Sequence, residues 1–254
     1  AFMQDVSWIN NLKLRASWGM LGNINNVGDY DYFSTYQQGG NYNFEDGIVN
    51  GIQEAKPANT TLGWEKVAIT DVGLDFSIFN GLIDFTGDYY NKVTNDILLG
   101  YNVPYEVGIY KDFKPSQNIG SVSNKGIEFG ITHNKTIGDF SYSVGFNMSK
   151  NWNKITDLGA SDPIYEDPWI KKVGYAIGTF YGWRTDGLLS QEDIDSGNYV
   201  TDGMTPQAGD IKYVDLNGDG KLDAEDKDFL ACDVPDITYG ININLRYKGF
   251  ELSA

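Results

Sequence analysis

Four shortages bound what this 254-residue chain can be. No stretch approaches the ~18 consecutive apolar residues of a transmembrane helix, so the remaining way through a bilayer is a closed β-barrel. Basic residues are scarce: 19 Lys and Arg stand against 35 Asp and Glu, a formal charge of −16, which argues against the extended cationic surface that nucleic acid requires. A lone Cys232 rules out an internal disulfide and reads as a passive small side chain. A lone His133, with no Gly-x-Ser-x-Gly turn and no His-Glu-x-x-His helix, reads as a polar strand residue and not a general base. The chain is therefore read as a non-enzyme. The acids Asp162, Glu166 and Asp167 could flank a glycosidic bond, but a solvated carboxylate cluster is the simpler account.

What is present favours strands: 30 glycines and 14% aromatics. Period-2 alternation marks strands at Leu12 to Gly22, Trp64 to Phe79, Leu82 to Leu99, Ile119 to Ile137, Asp139 to Ile155, Ile237 to Tyr247 and from Phe250 onward. Phe140, Tyr142, Val144, Phe146 and Met148 make one side of a strand apolar, while Ser141, Ser143, Gly145, Asn147 and Ser149 make the other small and polar. Lys13 and Arg246 fall on polar sides. The joins at Asn80-Gly81, Gly138 and Lys248-Gly249 are tight; those at 23–63, 100–118 and 156–236 are long. One trimmed rim and one elaborated rim is the pattern of outer-membrane barrels. Several runs exceed the ~5–6 residues common in soluble strands and reach the ~9–11 needed to cross a bilayer at a tilt. Trp18, Trp64, Tyr89, Tyr90, Trp152, Tyr239 and Tyr247 would form interfacial girdles or serve as ordinary packing residues.

The expected fold class is therefore all-β: part of an antiparallel up-and-down transmembrane β-barrel, about seven strands over residues 1–254. A soluble sandwich also alternates, so a soluble extracellular carbohydrate-binding β module with a structural calcium site is the alternative. The chain opens at Ala1-Phe2-Met3 without the charged and apolar regions of a secretory signal, and stops just after a strand restarts at Phe250. Seven strands are fewer than the ~8 of small barrels or ~22 of plugged transporters, so a piece of a larger protein is expected.

Acidic residues gather in the long connections, at Glu45-Asp46, Asp162 to Asp167, Glu192 to Asp195 and Asp210 to Asp236. The stretch from Asp215 to Asp226 fits the Ca²⁺-loop template of oxygen ligands at positions 1, 3, 5, 7, 9 and 12 with Gly at 6. Asp215, Asn217 and Asp219 would supply side-chain oxygens, Lys221 its carbonyl and Asp223 a water-mediated contact. Asp226 would close the loop, with a shorter reach than the usual Glu. The same residues also suit a turn held by its own Asx hydrogen bonds. Asp210 to Val214 reads as extended, which makes this a loop-only site. Among loop aromatics, Trp169, Tyr181, Trp183, Tyr105 and Tyr110, with Tyr36 and Tyr42, would stack on sugar rings or pack their loops.

Several phrases resemble the SusC/RagA family of TonB-linked outer-membrane transporters: Trp64-Glu65-Lys66, Thr70 to Phe76, Asp88-Tyr89-Tyr90-Asn91-Lys92, Asp96 to Leu99, and above all Asn118 to Glu128. Phe180-Tyr181-Gly182-Trp183, Asp186-Gly187, Gly209 to Gly220 and Tyr247 to Leu252 continue the match in order. The resemblance implies a late barrel segment, without plug, TonB box or earlier strands, in a Gram-negative outer membrane with its loops extracellular. It implies import of oligosaccharides, or peptides, driven through TonB, beneath a SusD-type lipoprotein lid. It also implies that this segment alone does not transport.

Overall fold

The computed structural model describes residues 6–25, 27, 32–44, 47–56, 58–100, 116–196 and 205–254. They form two compact units, Ala1–Ser161 with Asp236–Ala254, and Asp162–Pro235.

In the first unit β1 (Ile9–Asn23) is followed by two small hairpins, β2 (Thr35–Gln38) with β5 (Ile52–Lys56) and β3 (Tyr42–Phe44) with β4 (Gly47–Val49). The long strands β6 (Glu65–Ile78), β7 (Ile83–Gly100), β8 (Ser116–Ile137) and β9 (Phe140–Asp157) come next. The second unit contributes β10 (Ile164–Glu166), β11 (Trp169–Lys171), β12 (Thr179–Trp183), β13 (Thr185–Leu188), a short helix α1 (Gln191–Asp195), β14 (Ile211–Tyr213) and β15 (Lys227–Cys232). The chain then returns to the first unit as β16 (Ile237–Tyr247) and β17 (Phe250–Ser253).

The seven predicted strands are all there, with ends shifted by no more than three residues, in one antiparallel sheet of order β1-β6-β7-β8-β9-β16-β17. Each neighbour is the next long strand in sequence. Every short turn therefore lies at one end of the sheet and every long connection at the other.

Cross-strand register decides what each face is. Leu14, Leu74, Phe129, Met148 and Tyr239 share one row; Leu12, Phe76, Phe85, Ile131, Phe146 and Ile241 share the next. Among the described residues of this unit no second layer covers this face: Leu14 is 79% exposed, Trp18 69%, Tyr239 73% and Phe250 80%. The buried apolar side chains of this unit, among the described residues, are Val122, Ile155 and Leu158. A soluble module cannot leave so large an apolar face bare, whereas a lipid-facing wall must. The unit is a segment of an up-and-down transmembrane barrel wall.

The apolar band also slides across the strands. Its centre is Ala16 on β1, and Ala16 lies level, through Val72, Tyr89, Ile127 and Lys150, with Ile237 on β16. The band on β16 runs from Ile237 to Tyr247, centred about five residues further along, five strands away. At ~3.4 Å per residue and ~4.8 Å between strands, one residue per strand is a tilt of about 35°, as membrane barrels require.

The opposite face is polar. Arg15 grips Asp75 with two hydrogen bonds, of 2.9 and 2.8 Å, and reaches Asp88 at 2.8 Å. This bridge crosses over Gly73, where a Cβ would meet Asp88 Oδ1 at 2.3 Å. Lys13, opposite Asp75, and Arg246, bonded to Glu251 at 3.2 Å, lie on this polar face as expected. His133 does not. It sits on the apolar face between Ile83 and Val144, with its ring stacked on Tyr142 at 5.5 Å. The strand's parity fixes that, and the neighbouring ring gives the imidazole a partner.

Candidate functional site

The 156–236 connection contains a sheet of its own, β10-β11-β12-β15. Its strands are three to six residues long and close over Ile170 and Thr179, both almost fully buried. The Thr179 hydroxyl donates to the Ala176 carbonyl at 2.7 Å, which satisfies it inside.

On this small sheet alternation puts Tyr181 and Trp183 on one face of β12. Register sets Trp183 directly opposite Lys227. The Lys227 Nζ lies 4.3 Å above the Trp183 ring, a cation–π contact. Tyr165 leans against Tyr181 with ring centroids 5.6 Å apart, and Trp169 stacks on Phe180 at 5.9 Å. Tyr165, Asp167, Trp169, Tyr181, Trp183 and Lys227, with Ala224, line a cleft of about 500 Å³. That size lies within the range of ~300–1,000 Å³ usual for small-ligand sites. Burial, and then the neighbouring Tyr165, push the Tyr181 phenol up, so it remains a neutral donor. The cleft thus offers flat aromatic walls, one cation and one carboxylate.

Trp169, Tyr181 and Trp183, singled out from the sequence, come together here. Tyr36 and Tyr42 belong to the small hairpins of the first unit, and Tyr42 packs on Phe44. Tyr105 and Tyr110, with most of the 100–118 connection and Glu45-Asp46, lie outside the described residues. Sequence reading missed Tyr165 and Lys227, because only pairing across strands brings them to the tryptophans, and it named Asp167 only within an acidic cluster. The acids Asp162 and Glu166 are engaged elsewhere: Asp162 accepts from the Val173 amide at 3.0 Å and Glu166 pairs with Lys171 at 2.7 Å.

The Asp215–Asp226 loop adjoins the cleft through one bond, from Trp183 Nε1 to the Asp223 carbonyl at 2.7 Å. Its side chains fold it from within. Asp215 accepts from the amides of Gly218 and Gly220 at 2.6 and 2.8 Å, Asn217 from Asp219 at 2.9 Å, and Asp219 from Lys221 at 2.8 Å. Asp223 accepts from Glu225 at 2.8 Å. Asp226, fully buried, accepts from Asp223 and Leu216, each at 2.9 Å, and from Asn217 at 3.4 Å. The Asp223 amide first, then those of Leu216 and Asn217, hold its carboxyl below the usual carboxylate range. Among the described residues no three His, Cys, Asp or Glu side chains converge as a metal-ligating group. Asp210 to Val214 is extended through β14, as read from the sequence.

Known proteins share this architecture. TonB-dependent receptor P3 of Formosa agariphila is 33% identical over 267 residues, covering 99% of this chain and 26% of that receptor. TonB-dependent receptor SusC of Bacteroides thetaiotaomicron is 31% identical over 270 residues, covering 99% and 25%. The chain belongs to the SusC/RagA-like TonB-dependent receptors. It spans about a quarter of the length of the curated relatives it matches. Among solved structures, the RagAB peptide importer in its open-open state superposes with a TM-score of 0.75 at 23% identity, over 100% of this chain and 26% of that one. Its closed-closed state gives 0.73 at 24%, over 100% and 27%. No family model matches. In this SusC/RagA-like segment the specific phrase from Asn118 to Glu128 is a joint in the wall. The Asn118 amide donates to the Gly63 and Asp96 carbonyls and accepts from the Gly63 amide, each at 2.8 Å. Asn124 accepts from Asn153 at 2.6 Å.

Proposed function

We propose that this SusC/RagA-like segment serves a TonB-dependent importer of the Gram-negative outer membrane, working beneath a SusD-type lipoprotein, with the Trp169/Tyr181/Trp183 cleft on the extracellular side. The cargo it suits is an oligosaccharide. Apolar faces of sugar rings match aromatic walls, and Asp167 and Lys227 would bond ring hydroxyls. The observation that carries this reading is the convergence of four aromatics from β10, β11 and β12 with one cation and one carboxylate. A peptide is the second cargo, favoured by the fold shared with a peptide importer and by the paired charges of the cleft. Isothermal titration of the full-length receptor against oligosaccharides and against peptides separates the two, and no heat from either overturns the cleft as a cargo site.

The Asp215–Asp226 loop is proposed to take Ca²⁺ with Asp215, Asn217, Asp219, the Lys221 carbonyl, Asp223 and Asp226. The support is the run of side-chain oxygens turned into one loop; the affinity expected is weak, because each is already bonded to an amide. Trp183 reports on it through its bond to Asp223. A Ca²⁺-dependent change in emission that Trp183→Phe abolishes supports the site. No change up to roughly 10 mM, above the ~10⁻⁴–10⁻³ M of extracellular modules, overturns it.

A further inference from the structure

Three lysines gather on the lipid-facing side of the wall. Register puts Lys125 opposite Trp152, Lys150 opposite Ile127 and Lys154 opposite Ser123. Lys150, Trp152 and Lys154 are alternate residues of one strand, so they share a face at spacings of ~7 Å, and Lys125 is their cross-strand neighbour. The Lys150 Nζ lies 5.1 Å from the centre of the Trp152 ring.

The position matters. Tyr89, Ile127 and Lys150 form the last row of these strands with more than one apolar side chain; the next rows on this face are Asn91, Lys125 and Trp152, then Val93, Ser123 and Lys154. The lysines therefore stand where the apolar band ends, on the side of the long connections, with an indole at the depth that tryptophan favours in a bilayer. Among the described residues none of the three forms an ion pair with a carboxylate. Glu128 is near in sequence but faces the other way, where Ser149 donates to it at 3.5 Å.

In a chain of formal charge −16 the expected neighbour of a lysine is an acid. Three ammonium groups left together repel one another, and an anion between them removes that repulsion. A dissolved anion would gain nothing from Trp152 and Ile127 below, whereas a lipid gains from both ends. Its chains lie along the apolar band while the lysine stems extend upward to its headgroup.

We propose that Lys125, Lys150 and Lys154, around Trp152, bind the phosphate of a membrane-lipid headgroup. The inference rests on the lipid-facing orientation of this face and is independent of the cargo.

The test is native mass spectrometry of the full-length receptor in detergent, titrated with lipid A, with phosphatidylglycerol and with phosphatidylcholine. Retention of a phosphorylated anionic lipid over phosphatidylcholine is expected, and whichever of the two anionic lipids prevails identifies the leaflet. Changing all three lysines to Gln should weaken that binding roughly a hundred-fold, about five-fold for each lysine, while changing all three to Arg preserves it. Lys13→Gln, on the opposite face, should change nothing. Unaltered lipid retention in the Gln variant overturns the proposal, as does displacement of the lipid by equimolar inorganic phosphate. Should the Gln variant fail to fold, salt decides on the native receptor. Binding that falls about ten-fold between ~0.05 and ~0.5 M NaCl supports the site, and a flat response overturns it.

Discussion

Tyr90 on β7 and Gly126 on β8 are register partners, and the tyrosine ring fills the space where a side chain at 126 would begin. A Cβ there would lie 2.4 Å from both Cζ and Oη of Tyr90, whose hydroxyl donates to Asn151 at 3.3 Å. Gly126→Ala is expected to destabilise the wall by about 1–3 kcal/mol, the usual cost of overpacking. Urea midpoints of the refolded receptor, followed by gel mobility, check this. Restoration by a second change, Tyr90→Ala, is expected; a double variant as weak as the single one would contradict the steric account.

Arg15 holds two carboxylates together. Arg15→Met leaves Asp75 and Asp88 facing each other across Gly73, so the unfolding midpoint should fall at neutral pH. Part of that loss should return in acid as the carboxylates take up protons. An equal deficit at pH 7 and near pH 4 would mean that lost packing, and not charge, is responsible.

In the cleft, Trp169→Ala and Trp183→Ala should each weaken oligosaccharide binding at least about ten-fold, the effect of deleting a central tryptophan. Trp183→Phe should keep most of that affinity, since it retains a ring, yet loosen the Asp215–Asp226 loop by removing the bond to Asp223. Hydrogen exchange over residues 215–226 reads the second effect independently of ligand.

How much of this was legible in advance depended on strand length. Runs such as Phe140 to Asp157 alternate often enough for the period to stand out, and their greasy side could be named residue by residue. The sheet inside 156–236 escaped notice because strands such as Trp169–Lys171 offer a single alternation each. Lys227 was invisible for another reason: it lies 44 residues from Trp183 in sequence and meets it only through pairing of β12 with β15. His133 is a strand residue as read, but the face it takes follows from parity and not from its polarity.

Acid should release the Asp215–Asp226 loop. The Asp226 carboxyl is held below the usual range by backbone amides, so its contribution is complete above the unfolded value of ~3.9 and is lost as pH falls through the lower folded one. Protease cleavage within 215–226 should be slow at neutral pH and rise only below about pH 4. Asp226→Asn should expose the loop at neutral pH, because an amide NH₂ then faces one of the donors from Asp223, Leu216 and Asn217. Resistance of the Asn variant equal to the native protein would remove Asp226 from its anchoring role.

The slide of the apolar band gives the wall a slanted waterline. Trp18 and Lys125 occupy the same backbone row, yet one stands amid grease and the other at the headgroups. A charge introduced at Ala16 should therefore be costly, whereas the same charge beside Lys150, level with it four strands away, should be mild. Tolerance to substitution in this protein ought to follow a diagonal contour, and an insertion of two residues in any one strand would shift that contour for every strand after it.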